Sequence, residues 1–242
     1  VTVQTIAYKA GSVTAKGALI YNGNAAGKRA LMLVSPNWMG MTQKSIDRVE
    51  KMAGDKYVAF LADMYGDGLV TSPPACIPLA DDLRKNPKER RARIRAALDT
   101  LVAESTKLGI GDTSKKVAVG FCFGGGNVLE LARDGADVQA AICIHGDLIT
   151  PMPARTGDIK AAICIIHGSA DPVVPKDHRD QVEAEMTAAG VKWQMLTFGH
   201  LLHSFSEEEA NMPNVAKFDP GAARQTYNMI DDIAQAAFAG KL

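Results

Sequence analysis

Apolar residues fall along the chain in short, nearly unbroken runs separated by longer stretches with helical spacing. Gly17–Tyr21, Ala30–Ser35, Tyr57–Leu61, Lys116–Phe121, Ala140–His145, Ala161–Gly168 and Lys192–Phe198 are rich in β-branched residues and read as strands. The middle runs do not alternate between apolar and polar, which is the pattern of strands covered on both faces. Between them, Thr42–Ala53 places Ile46, Val49 and Met52 on one helical face, and Lys88–Leu108 does the same with Ile94, Leu98, Leu101 and Val102. His178–Ala189 groups Val182, Met186 and Ala189 ahead of Gly190, and Ala222–Ala239 carries Met229, Ile230, Ile233 and Ala237 ahead of Gly240. Strands alternating with helices predict an α/β fold: a mostly parallel central sheet with helices on both faces. Val1–Tyr21 predicts N-terminal antiparallel edge strands turning around Gly11-Ser12. Gly66–Asp82 breaks the rhythm with Gly, Pro and Ser, a long excursion from the end of a strand where such sheets build their sites. No shift of composition marks a boundary, so one domain over residues 1–242 is expected.

Composition narrows the function classes. With 47% hydrophobic residues in 242, the chain can bury one sizeable core. Its 27 basic residues are balanced by 27 acidic ones, which argues against a broad nucleic-acid surface. No apolar run is long enough for a membrane span. The chain opens Val1-Thr2-Val3 without a signal pattern, so a soluble protein is expected, cytoplasmic or, if a leader has been removed, periplasmic or secreted. Cysteines 76, 122, 143 and 164 have neither CxxC pairing nor metal-ligand spacing. Cys143 and Cys164 lie inside strand-like runs and read as buried thiols; a disulfide between them is open if those strands are neighbours. No metal or other cofactor is expected, and with no apolar helix face left over, monomer is the default.

The most informative stretch is Val117-Ala118-Val119-Gly120-Phe121-Cys122-Phe123-Gly124-Gly125-Gly126-Asn127, a buried strand running straight into a glycine-rich helix start. Gly120 and Gly124 flank Cys122 two residues away on each side. That is a G-x-S-x-G nucleophile elbow with sulfur in place of hydroxyl. The helix terminus beyond it favours a thiolate and can hold an oxyanion. The plainer alternative is glycines that merely allow close helix–sheet packing around a small core residue. A phosphate loop is excluded, because no G-x-G-x-x-G is present and no Lys follows the glycines.

An elbow of this kind calls for an acid and then a histidine later in the chain. Asp171 follows the strand at Ala161–Gly168, in a turn stiffened by Pro172 and Pro175, and His203 follows the strand at Lys192–Phe198. Nucleophile, acid and base thus come in the order Cys122, Asp171, His203, each just past a strand end. His200 competes with His203 for the role of base, and Asp171 could be a turn former only. His145 and His167 end strands and read as structural hydrogen-bonding residues.

With these pieces in place the sequence resembles the dienelactone hydrolase family of α/β-hydrolases, through G-F-C-F-G-G (120–125), H-G-S-A-D-P-V-V-P (167–175), H-S-F (203–205) and, more weakly, S-P-N-W-M-G (35–40). The resemblance runs over residues 15–240. It implies an α/β-hydrolase fold, hydrolysis of small-molecule esters or lactones without a cofactor, and roles for Cys122 as nucleophile, Asp171 as acid and His203 as base. It also implies oxyanion donors at the backbone N–H groups of Trp38 and Phe123. Three positions depart from the family pattern. Asn37 stands where a thiolate-generating Glu is found, and Asp67 and Glu207 stand where substrate-binding arginines are found. With Met39, these make the candidate substrate pocket, suited to a neutral or cationic substrate more than to an anionic dienelactone. Glu207-Glu208-Glu209 could instead be a solvated first helical turn. Two other readings stand beside the hydrolase: a reactive-cysteine protein of redox or glyoxalase-like type, and an inactive hydrolase fold used for binding.

Overall fold

The computed structural model describes residues 1–242. Eight strands form one mixed sheet in the order β1-β2-β4-β3-β5-β6-β7-β8, with helices on both faces. The chain divides into two compact units, Val1–Ala118 and Val119–Leu242, with the division inside strand β5 (Gly111–Phe121).

In the first unit, β1 (Thr2–Ala10) and β2 (Val13–Tyr21) make the expected antiparallel edge hairpin, in register from Thr2 opposite Tyr21 to Ala10 opposite Val13. The outer strand β1 is largely exposed, whereas β3 (Arg29–Ser35) and β4 (Tyr57–Leu61) are parallel to each other and almost wholly buried, as their unbroken apolar runs predicted. Helix α1 (Gln43–Ala53) starts where Thr42 caps the Ser45 N–H. The Gly66–Asp82 excursion is shorter than expected, because its tail forms α2 (Cys76–Lys85). The prolines at 73, 74 and 78 masked that helix. Pro78, however, lies in its first turn, where a missing N–H costs no intrahelical bond. Helix α3 (Pro87–Lys107) follows at once, with Asn86 as cap and Pro87 at its first position.

In the second unit, the end of β5 leads into α4 (Phe123–Arg133), and β6 (Ala140–Ile144), β7 (Ala162–Gly168) and β8 (Trp193–Phe198) follow in parallel. Helix α5 (Lys176–Ala188) links β7 to β8, and α6 (Pro220–Phe238) closes the chain behind its Asp219 cap. A small hairpin, β9 (Asn211–Met212) and β10 (Ala216–Lys217), has no counterpart in the sequence reading; two-residue strands carry no periodicity to detect.

Cys143 and Cys164 lie on adjacent strands, but Cys143 is opposite Ile165 and Cys164 opposite Ile142. Being one residue out of register, their side chains project from opposite faces of the sheet, and all four cysteines are free. Arg133, the last residue of α4, is buried in a charged cluster. It donates to both carboxylate oxygens of Glu185 (2.9 and 2.7 Å), to Glu130 (3.0 Å) and to the Leu148 carbonyl (2.8 Å).

Candidate active site

Cys122 sits at the tip of the turn from β5 into α4 with φ of 53°, a region that side chains with a Cβ occupy only under strain. The turn closes because Gly120 lacks a side chain; a Cβ there would overlap the Gly124 carbonyl. The Cys122 N–H donates to the Ile144 carbonyl (3.0 Å), which ties the elbow to the end of β6. Phe123 opens α4, so its N–H belongs to the first turn, where a helix supplies no acceptor of its own.

The three side chains singled out in the sequence meet. His203 Nε2 lies 3.0 Å from Cys122 Sγ, and His203 Nδ1 donates to Asp171 Oδ2 at 2.7 Å. Asp171 is fixed by its own turn, because its Oδ1 accepts the N–H groups of Val173 (2.8 Å) and Val174 (3.0 Å). All three residues are buried, with His203 and Cys122 each 6% exposed. Burial works against a charged imidazole at His203. The adjoining Cys122 sulfur and the Asp171 carboxylate outweigh it and hold the pKa well above the ordinary 6.5.

The loops carrying Asp171 and His203 are stitched together through the main chain. Ser169 N–H donates to the Phe198 carbonyl (2.8 Å) and Ala170 N–H to Leu201 (3.1 Å). Gly168 is obligatory at this seam, because a Cβ would strike the Leu201 carbonyl. His203 N–H donates to Val215 (3.0 Å), and Lys217 N–H returns to the His203 carbonyl (3.2 Å), so the unforeseen hairpin holds His203 in place.

His200 is set apart from this constellation. It is exposed, with φ of 64°, and its N–H donates to Ser169 Oγ (2.9 Å). His145 is fully buried at φ 37°; its Nε2 lies 2.8 Å from Ser206 Oγ, and its ring meets His203 edge-on with centroids 5.5 Å apart. Phe205 stacks edge-on against His145 in turn (5.1 Å). This aromatic backing was not foreseen; its only sequence trace is the H-S-F-S run at 203–206. Glu207 is buried too, in a turn whose N–H donates to the Ser204 carbonyl (2.9 Å), so residues 207–209 do not open a helix.

The remaining candidates belong to the first unit. Asn37 follows β3 and is buried; its Oδ1 accepts the Met39 N–H (2.9 Å), which folds Asn37-Trp38-Met39-Gly40 into a tight turn. The Tyr65 hydroxyl donates to the Trp38 carbonyl (2.8 Å), and Thr71 N–H to the Met39 carbonyl (2.9 Å). Just after β4, the buried Asp63 carboxylate collects the N–H groups of Lys16, Tyr65, Gly66 and Gly68 at 2.8–3.0 Å, which shapes the start of the excursion. Asp67 projects into solvent and pairs with Lys16 Nζ (2.6 Å).

Residues 17–234 match the Dienelactone hydrolase family, nearly the whole chain. The chain belongs to that family. No curated protein matches it. Among solved structures it is similar to a dienelactone hydrolase-like promiscuous phosphotriesterase, P91, from metagenomic libraries (29% identity, TM-score 0.89, 98% of each chain covered). It is equally similar to a protein named m3DLH (30% identity, TM-score 0.90, 98% of each chain). Thermogutta terrifontis esterase 2, at 21% identity and TM-score 0.67 over 99% of this chain and 96% of that one, shares the fold. The chain is thus an α/β-hydrolase with cysteine in the nucleophile position.

Proposed function

We propose that the protein hydrolyses small carboxylic esters or lactones through Cys122, His203 and Asp171, by way of a thioester. The observation that carries this reading is the unbroken chain of contacts from sulfur to imidazole to carboxylate at 3.0 and 2.7 Å. Cys122 Sγ adds to the carbonyl carbon while His203 Nε2 takes, or already holds, the thiol proton. The oxyanion is stabilised by the N–H group of Phe123 at the start of α4. Collapse of the tetrahedral intermediate breaks the carbon–oxygen bond, and His203 passes its proton to the leaving alkoxide. A water then adds to the thioester as His203 accepts its proton, and the carbon–sulfur bond breaks to release the acid and return the proton to sulfur.

Asn37 has no titratable group, so activation of the thiol rests on His203 and the start of α4. The raised pKa of His203 supports that role, since it favours imidazolium beside sulfur. The substrate is neutral or cationic. Buried Glu207, four residues after His203, stands where the family pattern has an arginine to hold a carboxylate, and a second acid, Asp67, is committed to Lys16. Neutral phosphotriesters merit assay beside neutral esters, since the P91 relative is described as a phosphotriesterase.

The test is turnover of short p-nitrophenyl esters before and after iodoacetamide, with Cys122→Ala and His203→Ala in parallel. Loss of turnover in all three, with an acyl adduct on the Cys122 peptide during wild-type turnover, is expected. Turnover equal to wild type in either variant overturns the assignment. For the substrate claim, kcat/KM for a neutral lactone should exceed that for its carboxylate-bearing analogue; the reverse order refutes it.

A further inference from the structure

Asp171 is approached by a second histidine that the mechanism does not use. His167, near the end of β7, is fully buried, and its Nε2 lies 3.1 Å from the Val174 carbonyl and 3.5 Å from Asp171 Oδ2. A carbonyl oxygen only accepts, so Nε2 carries the proton. The lone pair is then on Nδ1, which has no partner. A buried lone pair without a partner is tolerable; a buried N–H would have cost more. The Val174 residue held in this way is the same one whose N–H donates to Asp171 Oδ1. Its carbonyl is thus held from one side by His167 and its N–H from the other by Asp171, which closes the turn 171–174 on itself.

We propose that His167 is a positioning residue: by anchoring the Val174 carbonyl as a neutral donor, it keeps the Asp171 carboxylate turned toward His203. The inference rests on the triad reading above. Neutrality matters, because an imidazolium 3.5 Å from Oδ2 would compete with His203 for the same oxygen. The charged and titratable groups facing His167 are Asp171, His203 and Arg179, whose guanidinium donates to the Gly168 carbonyl (3.2 Å). Burial, the largest influence, keeps the ring neutral with a pKa pushed down to about 4, against the pull of Asp171.

The experiment compares His167→Gln, whose amide can still donate to Val174, with His167→Leu, which cannot. The readouts are the pH midpoint of iodoacetamide labelling at the Cys122 peptide, and kcat and KM on a p-nitrophenyl ester. In His167→Leu the carboxylate loses its hold on His203, the imidazolium loses support, and the labelling midpoint moves up by about one pH unit relative to wild type. Labelling near neutral pH slows about tenfold, and kcat falls about tenfold or more with KM within about twofold. His167→Gln stays within about twofold of wild type on every readout. Should His167→Leu not fold, His167→Asn, too short to reach Val174, carries the same expectation. A lower melting temperature with unchanged labelling and kcat overturns the proposal, as does a Gln variant as impaired as the Leu one. Labelling needs no ester turnover. A His167-dependent midpoint in a protein inert toward esters would sink the hydrolase reading alone; turnover without that dependence would sink this one.

Discussion

The buried His167 ring makes the folded state sensitive to acid, and the size of the effect follows from its surroundings. In the unfolded chain an imidazole titrates near its ordinary 6.5, whereas in the folded protein burial brings it to about 4. Between those values the unfolded state binds more protons, so stability rises with pH. The contribution is intact above the unfolded value and is lost as pH falls through 6.5 toward 4. Acidifying from about pH 7.5 to about pH 4.5 should cost about 2.5 kcal/mol through this residue, rising to about 3 kcal/mol below the folded value. His203 runs the other way. Its raised pKa makes its contribution present below the unfolded value and lost as pH rises through the folded one. It is common to wild type and variant and drops out of a comparison. Urea unfolding at both pH values, followed by the fluorescence of the two tryptophans, reads the difference between wild type and His167→Gln. Wild type should lose about 2.5 kcal/mol more than the variant on acidification. A difference below about 1 kcal/mol would mean that His167 is charged or solvated in the folded state, and the account of its neutrality would fall.

Three further outcomes are expected. Asp171→Asn should lower kcat by about 10³–10⁴-fold, because the amide can leave His203 in the wrong tautomer; a loss under about tenfold counts against the triad. Arg133→Met strands Glu130 and Glu185 in a buried site and should cost about 3–5 kcal/mol in urea unfolding; adding Glu130→Leu and Glu185→Leu to it should recover much of that loss. Gly120→Ala forces a Cβ against the backbone of Gly124, where no flexible side chain can give way. It should lower the unfolding midpoint by the equivalent of about 3 kcal/mol and abolish the proposed p-nitrophenyl ester turnover, and an Ala variant as stable as wild type and as fast on those esters would refute the elbow packing.

Strands covered on both faces were the most plainly legible in the sequence, although the more exposed β1 and β8 were expected as well. Continuous apolar runs such as Tyr57–Leu61 and Ala140–Ile144 identify themselves, whereas β5 begins at Gly111, five residues before its apolar run, because Asp112–Lys115 lie outside the core and carry no pattern. That Cys122, Asp171 and His203 would come together was legible because each residue type stands at a strand end, with glycine or proline fixing the turn. Their supports were not. His145, Ser206, Val215 and the backbone of residues 169–170 act through packing or through main-chain atoms that any residue provides. The alternative of a solvated helical turn at Glu207 fails for a related reason: three successive carboxylates look solvent-facing, and only the fold buries the first of them.

The seam between the loops bearing Asp171 and His203 is built from peptide groups, at Ser169, Ala170, Phe198, Leu201 and Val215. Apart from Gly168, whose missing Cβ the close approach demands, and Ser169, whose hydroxyl accepts the His200 N–H, it asks little of side-chain identity. Leu201, Leu202 and Val215 can therefore be varied while the imidazole and carboxylate keep their separation, whereas His200 and Asn214, with φ of 64° and 60°, restrict what can replace them. The scaffold partitions what must be preserved from what can drift, and selection for altered specificity should find its productive changes on that side of the divide.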